Sequence, residues 1–160
     1  MSAIVLLDTS VYLNILDVPG YNQDRESILD EFRHKIEDED LFFLPMATIW
    51  ETGNHISRLP DGGQRFRFGS MLVDDVSKAI EGVAPYRPTY FPSREEFFVW
   101  LKEVPEFVKC SKSERKTCGV SLSDLSIIKE WEVTCKRSNM SKVLIWSLDS
   151  DLAGYDSSIK

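Results

Sequence analysis

The chain has 160 residues, 19 basic and 26 acidic, for a net charge of −7. Hydrophobic residues make up 42% and charged residues 28%, with only 8 Gly and 7 Pro, which excludes disordered, collagen-like and low-complexity classes and predicts one globular domain. The acidic balance excludes recruitment to nucleic acid or an anionic membrane by a global field, so any polyanion must be met by a local basic patch or by bound cations.

The chain opens with Met-Ser-Ala-Ile-Val-Leu-Leu-Asp. No basic residues precede its apolar ones and an acid follows at once, so it does not read as a secretory signal and a cytoplasmic location is expected. Ile4-Val5-Leu6-Leu7 is a continuous apolar run, the pattern of a parallel strand buried on both faces, and Asp8-Thr9-Ser10 ends it and opens a short helix. Ser27 to Asp40 reads as helix, with Ile28, Leu29, Phe32 and Ile36 on one face. Leu41 to Leu44 is a second buried strand. The apolar run around it, Leu41 to Ala47, falls far short of the ~20 residues of a spanning helix, so no membrane association is expected.

A helix over Met46 to Arg58 stops at the breaker cluster Leu59-Pro60-Asp61-Gly62-Gly63. Helical periodicity returns over Ser70 to Glu81 and Ser93 to Val104, separated by a proline-containing stretch, Gly82 to Pro92, that reads as an irregular connection. Lys109 to Lys116 is a polar, basic loop, and Ser121 to Lys136 is a helix capped by serine. Val143 to Ser147 is the third strand, followed by Asp149-Ser150-Asp151-Leu152 and a polar tail. Strands separated by helices imply parallel pairing through crossovers, hence a three-layer α/β/α sandwich with a central, mainly parallel sheet. Residues 1–160 form one domain with an extended helical and loop region at about 60–118. Trp50, Trp100, Trp131, Trp146 and the nine Phe are assigned mostly to the core.

Cys110, Cys118 and Cys135 are odd in number and include no C-x-x-C pair, so reduced packed cysteines are expected. His34 and His55 lack any metal-ligand spacing with them. The acids are more informative, because parallel strands present functional residues at their carboxyl ends. Asp8 follows the first strand; Asp149 and Asp151 follow the last. Glu51 interrupts an apolar helix segment, Met46 to Trp50, and Asp124 lies in the first turn of the helix before the last strand. Singly, each has an ordinary reading as a cap, a turn former or a solvated helix residue. Gathered in one crevice, they would repel unless a hard cation such as Mg²⁺ or Mn²⁺ held them.

The order Leu6-Leu7-Asp8-Thr9-Ser10, Ile49-Trp50-Glu51-Thr52-Gly53-Asn54, Ser121-Leu122-Ser123-Asp124 and Val143 to Leu152 resembles a PIN domain over the length of the chain. The resemblance implies a metal-dependent endoribonuclease, in many bacterial members the toxin of a toxin–antitoxin pair. It makes Asp8, Glu51, Asp124 and Asp149 the catalytic and metal-binding quartet, Asp151 an auxiliary metal ligand, and Thr9 or Ser10 a support for the first acid. Asn54 and His55 border Glu51 on its helix and are candidates to touch substrate; His55 reads equally as a residue partly buried under the Leu59 turn. RNA would be held by Lys109, Lys112, Arg115 and Lys116, or by Arg58, Arg65 and Arg67. A protein antitoxin and a homodimer are the further partners implied. The chain departs from the family in its long 60–118 region and in the few residues after Asp151, which shorten or remove a final edge strand. The alternative function is a catalytically silent PIN-fold module that binds RNA or protein. A receiver-like domain lacks its late-strand Lys here, and a dehalogenase-like phosphatase lacks its D-x-D.

Overall fold

A computed structural model describes residues 2–109 and 120–158. Four strands, β1 (Ala3–Leu7), β2 (Leu41–Leu44), β3 (Tyr86–Pro88) and β4 (Lys142–Trp146), form a parallel sheet in the order β3-β2-β1-β4. Seven helices complete the described chain: α1 (Thr9–Ile15), α2 (Arg25–Glu37), α3 (Met46–Ser57), α4 (Gly62–Glu81), α5 (Arg94–Lys109), α6 (Leu122–Arg137) and α7 (Ser150–Ala153). The architecture is the expected three-layer α/β/α sandwich.

Both layers are built on β1, whose five residues are all buried. Ala3, Val5 and Leu7 face one way, into a core with Tyr12, Ile28, Phe32, Leu44, Phe68 and Trp146. Ile4 and Leu6 face the other, against Ala47, Ile127, Ile128, Ile145 and Leu152. This alternation is the period-2 geometry of a strand covered on both faces. Each aliphatic side chain so buried contributes about 1.5–3 kcal/mol, which places the central strands among the most strongly held parts of the fold.

The structure corrects several expectations. The stretch Gly82 to Pro92 contains β3, an edge strand in register with β2 through Phe42–Tyr86 and Leu44–Pro88; an edge tolerates proline because it need not donate on both sides. The helix expected from Ser70 starts at Gly62, because Asp61 caps it through Gln64 N at 2.7 Å and glycine is harmless in a first turn. Helix α5 runs through Pro105 to Lys109, so Lys109 ends a helix instead of opening a loop. Leu41 and Ile36 are exposed, and so are Trp50, Phe66, Phe91, Phe97 and Phe98, which the sequence had placed mostly in the core. The tail returns beside β4 as a single antiparallel bridge, Leu144 to Asp156, and forms no further strand among the described residues.

Candidate active site

The acids converge where β1 and β4 end. Asp8 N–H donates to Trp146 O at 3.0 Å, carrying the ladder one residue past the strand. Its carboxyl caps α1 and is almost wholly buried: Oδ2 accepts from Ser10 N at 3.3 Å, Ser10 Oγ at 2.7 Å and Ser147 Oγ at 2.7 Å. Both hydroxyls are themselves held, since Ser10 Oγ accepts from Leu148 N at 3.0 Å and Ser147 Oγ from Asp149 N at 2.9 Å. Among the described residues all of Asp8's side-chain hydrogen bonds fall on Oδ2.

Glu51 arrives from α3, which is pinned to the same strand end by Thr48 Oγ1 donating to Leu7 O at 2.8 Å, one turn before the acid. Thr9 Oγ1 donates to Glu51 Oε2 at 3.1 Å. Burial pushes the Glu51 carboxyl above the usual range; the hydrogen bonds from Thr9 and Ser123 oppose this, and the charges of Asp124 and Asp8 add to it. Glu51 therefore senses both of those acids. Asp124 sits at the third position of α6 in a capping box with Ser121, donating N–H to Ser121 Oγ at 3.1 Å and accepting from Ser121 N at 3.4 Å. Asp149 caps α7, accepting from Asp151 N at 3.0 Å. The capping readings of Asp8, Asp124 and Asp149 are thus true, and they coexist with convergence: all four acids line one cleft of about 320 Å³.

Thr9, Ser10 and His55 line that cleft too. His55 packs against Tyr21 with ring centroids 4.5 Å apart, and its buried Nδ1 has no hydrogen-bond partner among the described residues. Burial, aided by the Arg58 charge, lowers its pKa and so favours the neutral ring. Asn54, Asp151 and the three arginines are not among the cleft's lining residues. Arg65 is committed elsewhere, to Leu59 O at 2.6 Å and Pro60 O at 3.2 Å, and Arg67 lies over the Phe68 ring at 5.5 Å. Lys109 pairs with Glu106 at 3.6 Å. Lys112, Arg115 and Lys116 lie outside the described residues.

Sequence reasoning missed Ser147 and Asn14. Asn14 is buried; its Nδ2 donates to Ser10 O at 2.8 Å and its Oδ1 accepts from Asp24 N at 3.1 Å, which fixes the far wall of the cleft. An Asn in the middle of a short helix that starts at the first acid is a signal for it, since such a residue disfavours helix interiors unless its amide has partners.

The donor chemistry suits a hard divalent cation, because every ligand offered is a carboxylate oxygen and like charges already crowd Glu51. Among the described residues no three His, Cys, Asp or Glu side chains stand together in position to hold one ion. One carboxyl oxygen of Asp124 and one of Asp149 accept from backbone N–H groups at their own helix starts.

Fold and site together define a parallel α/β/α domain with an acidic cleft at the carboxyl edge of its sheet. No family model matches the chain, and no curated protein matches it. Among solved structures, the chain is similar to FitAcB from Neisseria gonorrhoeae, with 18% identity, a TM-score of 0.49 and coverage of 94% of this chain and 91% of that one.

Proposed function

We propose that this protein is a metal-dependent endoribonuclease of the PIN type. The observation that carries the reading is that Asp8, Glu51, Asp124 and Asp149, separated widely in sequence, line one cleft at the carboxyl edge of the sheet. Four carboxylates brought to one place destabilise a fold unless something positive occupies it in the working state. They would hold Mg²⁺ or Mn²⁺, which when bound lowers the pKa of an attacking water and neutralises charge on the leaving alkoxide.

The chain's own residues set up that chemistry. Ser10 and Ser147 orient Asp8 through Oδ2, and Thr9 fixes Glu51 relative to it. His55, whose burial favours the neutral ring, and Tyr21 form a wall of stacked rings against which a sugar or base can rest. Substrate phosphates would be met by cations beside the cleft, among which Arg58 is near enough for its charge to act on His55. As the toxin of a pair, which the sequence resemblance implies, the protein would be silenced by an antitoxin that covers this cleft.

The test is RNA cleavage by the purified chain in Mg²⁺ or Mn²⁺ and in EDTA. Cleavage that disappears in chelator and returns with metal supports the reading; undiminished cleavage in EDTA overturns the mechanism. An intact chain that binds RNA in metal but cleaves none is a silent binding module.

A further inference from the structure

Helix α4 is apolar on two sides. Phe68, Leu72, Val76 and Ala79 turn inward and join the core around β1. On the outer side Phe66, Val73 and Ile80 recur at intervals of seven and stand 80%, 66% and 70% exposed. A helix that only covers a core carries one apolar stripe and is polar on its other face, whereas one that is apolar on both has a second surface to meet. The outer side is also concave: Phe66 and Val73 line a trough of about 580 Å³ together with three small residues, Gly69, Ser70 and Ser77.

The chain by itself gives Gly69 no purpose. It lies inside the 20-residue α4, where glycine costs helix stability against alanine. Its backbone is not in the left-handed region that glycine alone enters freely. A methyl group in its place would meet no neighbouring group within 4 Å among the described residues, so internal packing does not call for glycine either. The use that remains for it on a helix surface is to let another backbone come close.

We propose that this face is covered by a second copy of the chain, α4 against α4, antiparallel about a two-fold axis at Gly69 and Ser70. The face is its own complement about that axis, which is what a contact between identical patches requires. Groups on the axis meet their own copies, and the residues there are the small ones. Half a heptad to either side, Phe66 of one copy comes level with Val73 of the other, a large group against a smaller one. Arg67 and Asp74, both exposed, flank the seam on one side. Antiparallel packing sets the same flank of each helix together, which brings Arg67 to within about two residues, ~3 Å along the axis, of Asp74 of the second copy, and does so twice by symmetry. Asp74 holds its own Lys78 through Oδ2 at 2.7 Å, and a carboxylate has a second oxygen for the guanidinium. A crossing centred one turn further on, at Val73, would instead set Asp74 against its own copy, so charge selects the same register as size. An unrelated partner would be under no such symmetry. The four acids of the cleft lie on other elements, so this inference stands apart from the nuclease reading.

The experiment is light scattering and sedimentation equilibrium on the full chain from about 1 to 200 µM. A monomer–dimer equilibrium with a dissociation constant in the micromolar range is expected, since one helix pair makes an interface of the smaller class. Gly69→Leu should weaken it at least about tenfold, while the thermal midpoint at the lowest concentration holds or rises, because the leucine enters open space and replaces a glycine within a helix. Arg67→Glu and Asp74→Lys, each turning two attractive contacts into repulsive ones, should each weaken self-association about tenfold. An equimolar mixture of these two variants should associate as the wild type does, since the mixed pair has opposite charges at both contacts. A chain that is monomeric throughout overturns the proposal and leaves the face to a different partner. A dimer unchanged in Gly69→Leu, or a mixture of the charge variants that associates no better than either alone, overturns it by placing the contact elsewhere.

Discussion

Ser147 Oγ donates to Asp8 Oδ2 at 2.7 Å across 139 positions of sequence, and accepts from Asp149 N at 2.9 Å. One hydroxyl therefore sets the relative positions of the first and last acids of the cleft. Ser147→Ala should cost about 1.5–3 kcal/mol in urea unfolding, the range for losing a hydrogen bond to a charged group. It should also lower RNA cleavage, and Ser147→Thr should restore part of it. A stability loss with full cleavage would show that the hydroxyl holds the strand end but not the acids.

Asp8 both caps α1 and faces the cleft, and two substitutions separate the roles. Asp8→Asn keeps an acceptor for Ser10 and Ser147 while removing the charge, so the metal-free protein should unfold within about 1 kcal/mol of wild type and cleave no RNA. Asp8→Ala leaves both hydroxyls and the cap unmatched and should cost about 2–3 kcal/mol. Cleavage by Asp8→Asn at the wild-type rate would remove Asp8 from the mechanism.

Glu51 has its pKa raised by burial and then by Asp124 and Asp8, against the hydrogen bonds from Thr9 and Ser123. A carboxyl raised in the folded state contributes stability that is fully present below its unfolded pKa and is lost as pH rises through the folded value. The metal-free wild type should therefore lose stability from the ordinary glutamate pKa upward. Glu51→Gln should flatten that part of the profile and melt higher at neutral pH. Thermal melts in EDTA over a pH series measure both, and a profile unchanged by the substitution would mean the acids do not crowd one another.

Glu130 gives the larger effect of the same sign. Its carboxyl is raised from 4.5 to about 7, so ionisation opposes folding increasingly between those values. Glu130→Gln should leave stability nearly unchanged at acid pH and raise it by about 3 kcal/mol above neutrality. Equal effects at both ends of the range would place the carboxyl in solvent.

Away from the cleft, Asp75 of α4 accepts from Tyr12 Oη at 2.6 Å and from Tyr86 Oη through Oδ2, while the two rings meet edge to face at 5.9 Å. Burial, then the Asp75 hydrogen bond, raises the pKa of both phenols, which stay protonated as donors. Asp75→Ala strands two phenol hydroxyls and should cost about 2–4 kcal/mol in chemical denaturation. A loss below about 0.5 kcal/mol would show that the edge strand is held by packing alone.

The sequence by itself determined β1, β2 and β4 and the acids beyond the ends of β1 and β4, because a buried strand is mostly apolar and the polar residues that follow mark where the chain leaves the sheet. The gathering of Asp8, Glu51, Asp124 and Asp149 was legible only through the resemblance carried by their order along the chain, since each acid alone has an ordinary reading, and three of them are caps. Only the tertiary structure decided the rest. Strand β3 carries a proline and little apolar pattern; it exists because β2 offers an open edge and because Tyr86 reaches Asp75, a residue on another element. Trp50 and Phe91 read as core because aromatic residues usually are, and they stand exposed because nothing in the described chain covers them. Ser147 and Glu130 carry no local signal at all: a serine that ends a strand and a glutamate in a helix are ordinary, and what makes them matter is a partner 139 residues away in one case and burial by the surrounding fold in the other. Local propensity is written in neighbouring residues, whereas the satisfaction of a buried polar group depends on what the fold brings beside it.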